Sequence, residues 1–521
     1  MDNKKILLIN PLENKDYWKK ITPRTTPISY INRLLATATL LKRKGFEPKI
    51  IDCYVEQNYS QLIKKEIEEK KPFLVLVSAI VTTISSALEI SKLVKNSDEN
   101  LPLVWGSVLL PFQGSFVPLY PKQVLSNDLI DYALLSEEEE TLLELVRLLK
   151  KNEKPGLGQL KSILGLGFKD KGEIIINPRR IITEGELINE DFSLIDVEKY
   201  INRTGNPEMG FADPRMRRLF VLSTTKGCPY RCTYCINSSE LRQNFRVKTA
   251  EQVIKQIEEA VVKYKADTIW FQDDNFLADV DRLKKIFEAV ERNGWKFEWA
   301  GQGRLNYFHP QHISDELFKK IFKNCIWLGV GFETISDRLR NIYQKHVTKE
   351  MLEHVAELCK ENKVFLGGVA FIVGTVDETR KEMLDSVSYI LDFKKRFPNS
   401  GITYQVYRPY PGTIEYQKAK NRGYQEPKTL EEWVKKVRVN LRGISYLDYP
   451  WLKDENKVDI IKYLMNIVHL IDIHNSSFRK GVRLQYLAGL ILSPLFRFRL
   501  RNDFWGFPVE FQLIKIGKKF I

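Results

Sequence analysis

Three cysteines lie within eight residues in the stretch Cys228-Pro229-Tyr230-Arg231-Cys232-Thr233-Tyr234-Cys235. Pro229 keeps the start of this stretch out of a helix, because its ring fixes φ and removes an amide donor. Spacings of three and two intervening residues bend such a loop around one small volume. Iron–sulfur cubanes are ordinarily held by four cysteine thiolates. With three thiolates, one iron of a [4Fe–4S] cluster has no protein ligand, and a cofactor or substrate can bind it directly. A disulfide framework does not suit an odd cluster whose other cysteines (Cys53, Cys325, Cys359) stand singly in apolar surroundings. Those three, like the scattered histidines, read as packing or solvent-facing residues. A structural zinc site closes with four ligands. No histidine precedes His309, so a fourth zinc ligand would have to come from far along the chain.

At these residues the chain resembles the radical S-adenosylmethionine (radical SAM) superfamily, whose hallmark is this C-x-x-x-C-x-x-C motif with an aromatic residue before the last cysteine. The resemblance implies that Cys228, Cys232 and Cys235 hold a [4Fe–4S] cluster and that its open iron chelates SAM. Reductive cleavage of SAM then gives a 5′-deoxyadenosyl radical that abstracts a substrate hydrogen. The cofactors carry that chemistry, and the protein supplies orientation and excludes competing reactions. An electron donor such as flavodoxin or ferredoxin is implied as a partner.

The elements that position this loop can be read on both sides of it. Residues 4 to about 150 alternate short apolar runs with amphipathic stretches. Strands are predicted at 6–9, 49–53, 73–77, 103–105 and 132–135, with helices at 30–44, 61–70, 85–95 and 139–150. Fully apolar strands alternating with helices predict an α/β fold with a doubly wound, flavodoxin-like parallel sheet. Ligands of such sheets bind beyond the carboxyl ends of the strands. Those ends are Asn10-Pro11, Asp52, Ser78 with Thr82, Gly106-Ser107, and Ser136-Glu137. Placed directly before a radical SAM motif, this domain resembles the cobalamin-binding domain of cobalamin-dependent radical SAM enzymes. The resemblance implies cobalamin at Ser78, Thr82, Gly106 and Ser107. The chain departs from the family at Gly106-Ser107, where two glycines are frequent, and at Ser136-Glu137-Glu138-Glu139. It has no Asp-x-His-x-x-Gly motif, so a bound corrinoid would take no histidine from this domain. A flavodoxin-like domain without a corrinoid is the alternative.

Residues 151–215 form a glycine-punctuated connector with a predicted hairpin at 162–169 and 173–176. From 216 to 427 six strands (219–223, 268–271, 296–302, 327–332, 365–373, 402–407) alternate with helices, as in a partial (βα)6 barrel, whose chemistry lies at the carboxyl ends of its strands. Those ends bear Gln272-Asp273-Asp274-Asn275, Gln302 and Arg304, Glu333, Gly374 with Glu378, and Arg408-Pro409-Tyr410-Pro411-Gly412-Thr413. The resemblance implies that Tyr234, Asp273, Gln302, Arg304, Glu333 and Gly374 bind SAM: Arg304 and Glu333 hold its polar groups, the Gly374 strand lies beside the adenine, and Asp273 or Asp274 lies near the methionine part or the substrate.

The remaining region, 428–521, is expected to be mainly helical (429–441, 457–474, 483–492). From 476 onward nine Lys/Arg face only Asp503 and Glu510 and interleave with Tyr486, Phe496, Phe498, Phe504 and Trp505. A basic amphipathic segment edged with aromatics suits a membrane surface. Equally, it suits a lid over the barrel mouth with a solvated basic face.

The chain has 521 residues, 43% hydrophobic and 28% charged, with a formal net charge of +15. That balance fits a soluble globular protein of about three domains, and the positive charge favours an anionic partner. No apolar run approaches the ~20 residues of a membrane span. Free cysteines and a cluster motif fit a reducing compartment, so the expected location is cytoplasmic, with peripheral membrane contact through the C-terminal region. The leading expectation is C-methylation of an unactivated carbon in a small molecule, a lipid or another large anionic substrate. Radical cyclisation, oxidation or C–C bond formation without methyl transfer is the second reading. A nucleic-acid modifier of the methylthiotransferase kind fits less well, since those enzymes carry a second cysteine triad and this chain has only Cys53 before the hallmark loop; no nucleic acid is expected.

Overall fold

In the computed structural model the described residues are 3–12, 31–107, 116–136, 138–182, 185–201, 217–238, 244–398, 400–441, 449–453, 457–464, 494–495 and 497–504. They fall into two compact units. The first comprises 1–302 with 410–417 and 425–445, the second 303–409 with 418–424 and 446–521.

The first unit begins with a seven-stranded sheet in the order β2-β1-β3-β4-β5-β6-β7. Its strands are β1 (Lys5–Asn10), β2 (Glu47–Asp52), β3 (Leu74–Ser78), β4 (Leu103–Gly106), β5 (Tyr132–Leu134), β6 (Leu166–Asp170) and β7 (Glu173–Ile176). β1 to β5 are mutually parallel. Ile6–Ile9 and Leu74–Val77 are fully buried, which is why these strands are apolar without alternation: both faces are covered. Helices Asn32–Arg43, Ile84–Ser97 and Glu138–Lys151 follow β1, β3 and β5. All three fall within two residues of the boundaries that the apolar periodicity predicts.

The hairpin expected inside the connector is part of this sheet instead. β6 pairs antiparallel with β5, bringing Gly167 opposite Ala133, and β7 pairs antiparallel with β6. The sheet is therefore parallel with an antiparallel edge. Gly167 is what admits the close packing, since a Cβ there would lie 3.1 Å from both Ile176 and Leu125. The helix Leu430–Leu441 also belongs to this unit. Its Leu430 and Trp433 join the core beneath the sheet, with Trp433 5.5 Å from Phe116 and 5.1 Å from Tyr120 between ring centres.

Next along the chain come β8 (Leu219–Leu222), the two-residue ribbon strands β9 (Thr225–Lys226) and β10 (Arg246–Val247), β11 (Thr268–Phe271) and β12 (Glu298–Gly303). β11 is parallel to both β8 and β12. The helix beginning at Ala250 is capped as its sequence predicts. Thr249 Oγ1 accepts from Gln252 N, and Gln252 Oε1 accepts from Thr249 N at 2.8 Å.

The second unit contains β13 (Cys325–Glu333), β14 (Gly368–Val373) and β15 (Ile402–Val406), again parallel. Within this unit the strands run in the order β13-β14-β15, and within the first unit in the order β8-β11-β12. Cys325 and Cys359 are buried, as expected of packing residues. Of the C-terminal expectations, the helix at 457 is described through Tyr463, the helix at 483–492 lies outside the described residues, and Asp503 pairs with Arg380 at 2.6 Å. Among the described residues no helix is long and apolar enough to cross a membrane.

Candidate active site

The cysteine loop leaves β8 through Ser223 and Thr224, and Asp273 at the end of β11 fixes that departure. Asp273 Oδ1 accepts from Thr224 N at 2.6 Å and Thr225 N at 2.8 Å, while Oδ2 pairs with the Thr224 hydroxyl at 2.5 Å. Arg282 reinforces the junction by donating to the carbonyls of Thr224 (3.1 Å) and Lys248 (3.2 Å). Both of these partners, Thr224 and Lys248, are buried with it. Sequence reasoning placed Asp273 against SAM. In the structure its two oxygens are engaged in shaping the entry to the loop.

Within the loop, Cys235 N donates to Cys232 O at 2.9 Å. Ser238 then donates to Cys235 O from both its amide (2.9 Å) and its hydroxyl (2.7 Å), closing a short 3-10 turn over Ile236–Ser238. Cys232 is buried, and Cys228, Tyr234 and Cys235 are partly exposed. Burial pushes the Cys235 thiol up to about 12, with Asp274, Cys232 and Cys228 adding to the rise. The three thiols thus lie within electrostatic reach of one another, in a place where a bare thiolate is disfavoured. Metal binding requires deprotonated thiols and itself compensates their charge, so this donor set fits a cluster. Among the described residues no three His, Cys, Asp or Glu side chains gather around a single ion; a cubane instead takes each thiolate on a different iron.

Two contacts that sequence reasoning missed brace the loop. Thr233, between the second and third cysteines, donates its hydroxyl to Glu415 Oε1 at 3.1 Å, and Glu415 N donates to Thr233 O at 3.3 Å. Glu415 is fully buried. Replacing Glu415 by alanine leaves a buried hydroxyl without its acceptor, at about 1–3 kcal/mol. The expected result is faster iron loss from the reconstituted protein under chelator challenge; an unchanged half-time would refute the bracing role. On the entry side, Lys226 Nζ lies 3.0 and 3.1 Å from the two oxygens of Glu139, at the start of the helix after β5. Burial, aided by Glu139, pushes neighbouring Glu138 up to about 7.

Beyond Asp273 the end of β11 carries polar atoms without partners among the described residues: Gln272 Oε1, Asp274 Oδ1 and both ends of the Asn275 amide, all buried. Asp274 Oδ2 accepts from Asn237 at 3.1 Å, and burial pushes this carboxyl up to about 7. Buried polar groups are rarely left unpaired, so this edge is where a polar ligand fits. Gln302 donates to the Asp273 carbonyl at 3.0 Å, a scaffold contact at the β12 end.

At the carboxyl ends of the N-terminal strands, Ser78 is fully buried with an unpartnered hydroxyl and lies beside Gly106 across the β3–β4 register. Ser107 is committed: its hydroxyl donates to Ala79 O at 2.8 Å and accepts from the amides of Phe116 and Val117 at 3.2 Å. Thr82 sits in the 3-10 turn Val81–Thr83 above β3. Asn10 and Tyr200 both donate to Asp52, at 3.0 and 3.1 Å.

In the second unit, Glu333 ends β13 at φ +75°, where the pairing with β14 slips by one residue. A non-glycine residue in that left-handed region is strained by about 1–3 kcal/mol and persists only where its surroundings enforce it. Lys345 Nζ holds the Glu333 carboxylate at 2.8 Å, with each side chain only 7% exposed. The Arg304 guanidinium donates to the Lys345 carbonyl and to Asn306 Oδ1 at 3.1 Å. Arg304 and Glu333, expected together from the sequence, thus share one partner that was not expected. Gly374, at φ +77°, ends β14; its amide donates to Glu378 Oε2 at 2.5 Å and its carbonyl accepts from Trp451 at 2.9 Å. A Cβ there would press on Ile461 (3.0 Å) and Leu452 (3.2 Å). Burial pushes the Glu378 carboxyl up to about 8.

Residues 222–390 match the family model described as the radical SAM superfamily. The chain is 27% identical over 424 residues (80% of this chain, 84% of the relative) to an uncharacterized methyltransferase, PH0819, of Pyrococcus horikoshii. It is 20% identical over 452 residues (82% of this chain, 76% of the relative) to the anaerobic magnesium-protoporphyrin IX monomethyl ester cyclase of Rubrivivax gelatinosus. Among solved structures its fold is similar to the cobalamin-dependent S-adenosylmethionine radical enzyme OxsB with aqua-cobalamin and S-adenosylmethionine bound. That likeness has a TM-score of 0.64 at 17% identity and covers 96% of this chain and 72% of OxsB. The segment 222–390, which holds the three cysteines, Asp273, Arg304, Glu333 and Gly374, is thus a radical SAM domain.

Proposed function

We propose that this protein is a cobalamin-dependent radical SAM methyltransferase acting on an unactivated carbon. The observation that carries the reading is the three-cysteine loop, braced by Asp273 and Glu415, in a radical SAM domain preceded by a sheet whose fold is shared with OxsB. In this reading Cys228, Cys232 and Cys235 hold a [4Fe–4S] cluster. Arg304, Glu333 and the Gly374 turn hold polar groups and adenine of SAM, with Tyr234 and Gln302 near them. Of Asp273 and Asp274, which the sequence offered alike for the polar ligand role at the β11 end, Asp274 takes it together with Asn275, since both carry unpartnered buried atoms. Ser78, Thr82 and the Gly106-Ser107 strand end face the corrinoid, and Ser78 offers it a hydroxyl. When bound, the cluster and SAM supply one-electron hydrogen abstraction, and the corrinoid supplies a transferable methyl group. The chain's own residues hold the thiolates together, orient SAM and exclude water from buried carboxyls.

The substrate class we favour is a lipid or another large anionic molecule, on the strength of the +15 charge and the basic, aromatic sequence after 476. A flavodoxin or ferredoxin as electron donor and a cytoplasmic location, peripheral at a membrane, accompany this reading. The likeness to the cyclase of Rubrivivax gelatinosus favours one competing outcome, cyclisation or oxidation without methyl transfer. Anaerobic reconstitution with iron, sulfide and cobalamin, followed by mass spectrometry of lipid and small-molecule extracts treated with the enzyme, separates the two. Methylation adds one methylene to the product. Loss of two hydrogens, with no methylene gained, would replace methyl transfer by cyclisation or desaturation.

A further inference from the structure

The segment 344–346 in the second unit is built to deliver one side chain. Gln344 and His346 both adopt left-handed backbone conformations, at φ +53° and +48°, and Lys345 between them is 6% exposed. Its ammonium meets Glu333, itself left-handed at φ +75°, and its carbonyl receives the Arg304 guanidinium. Gly331 is shaped to the same contact: a Cβ there would lie 2.2 Å from Glu333 Oε1 and 2.7 Å from Lys345 Nζ. Three disfavoured backbone residues are thus spent on a single buried ion pair, beside a glycine that leaves room for its two charged ends. A buried pair is a poor source of stability, because desolvation offsets the attraction. Strain concentrated in this way is characteristic of functional sites.

We propose that Lys345 is the positioning residue of the SAM-binding set in this unit. Through its ammonium it fixes the Glu333 carboxylate, and through its carbonyl the Arg304 guanidinium, so that both groups meet SAM in one fixed orientation. The proposal rests on the reading of Glu333 and Arg304 as SAM ligands.

The test uses the full chain, anaerobically reconstituted, as wild type, K345R, K345M, E333Q and the double variant K345M/E333Q. Release of deoxyadenosine from SAM is followed to obtain the KM for SAM and the turnover rate separately. Two further readouts are the SAM-induced change in the electron paramagnetic resonance of the reduced cluster and the iron content. Loss of an outer residue that orients a ligand-holding group lowers affinity roughly 10- to 100-fold. K345M should therefore raise the KM for SAM by that factor with iron content unchanged, K345R should recover most of the loss, and the double variant should bind SAM no worse than E333Q. A wild-type KM in K345M, or losses in the double variant that simply add, would overturn the proposal. Should K345M not fold, the double variant, which buries no unpaired charge, is compared with E333Q in the same way. A wild-type protein whose cluster spectrum does not respond to SAM overturns the SAM reading together with the proposal. A responsive wild type with a fully responsive K345M overturns the proposal alone.

Discussion

Cys232→Ala should abolish 5′-deoxyadenosine release and remove the iron–sulfur absorbance of the reconstituted protein. Cys232 is the buried member of the triad, and its carbonyl holds the amide of Cys235, so it is both ligand and pivot of the loop. The same loss should follow at Cys228 and Cys235. Groups that act as a unit are grossly non-additive, each single loss costing about as much as losing all. We therefore expect each single variant, and the triple variant, to fall by on the order of 10³-fold or more, with no further loss from combining them. Optical absorbance, iron content and deoxyadenosine release measured on the four proteins decide the matter. A single variant keeping a spectroscopically intact cluster and turning over SAM would remove the foundation of the proposed function.

The second large effect is expected at Asp273, through structure. Asp273→Ala leaves the amides of Thr224 and Thr225 and the Thr224 hydroxyl without their acceptor. It also removes the carboxylate whose charge, ahead of that of Asp279, offsets the burial that pushes the Arg282 guanidinium down. Each buried donor left without its acceptor costs on the order of 1–3 kcal/mol, and three are orphaned here. Alanine here should cut the denaturation midpoint severely and yield protein that does not hold iron. Asp273→Asn keeps an oxygen for the two amides, so its loss should be clearly smaller. Denaturant melts with iron assays give the answer. Equal stability of D273A and wild type would mean that this carboxylate does not organise the loop entry.

Much of the scaffold was legible because its signals are local. The strand Thr268–Phe271 and the helix Val280–Arg292 follow from a short apolar run and a 3.6-residue stripe. The Thr249 cap follows from its pairing with Gln252 three residues on. The cysteine triad was legible as a motif for the same reason, since its spacing is written within eight consecutive residues. What escaped was decided by tertiary approach. Asp273 looks like any strand-end carboxylate until Thr224, 49 residues earlier, is folded against it. Glu415 reaches Thr233 across 182 residues. Lys345 lies in a polar run whose left-handed flanks leave no periodic trace. The two-residue ribbon of β9 and β10 is too short for any pattern. The docking of 166–176 onto β5 was hidden because a hairpin's sequence says how it turns but not what its outer strand meets.

That docking changes how the N-terminal sheet ends. A parallel sheet stopped at Tyr132–Leu134 would present a row of bare amides and carbonyls from its own interior, a template for pairing with another chain. The hairpin satisfies that row and moves the margin out to Glu173–Ile176, a four-residue strand that is only partly covered and opens on a charge. Short, charged margins are poor nuclei for chain-to-chain association. The added strands therefore act as a selvedge, protecting a sheet whose apolar interior would otherwise be open to neighbours in a crowded solution.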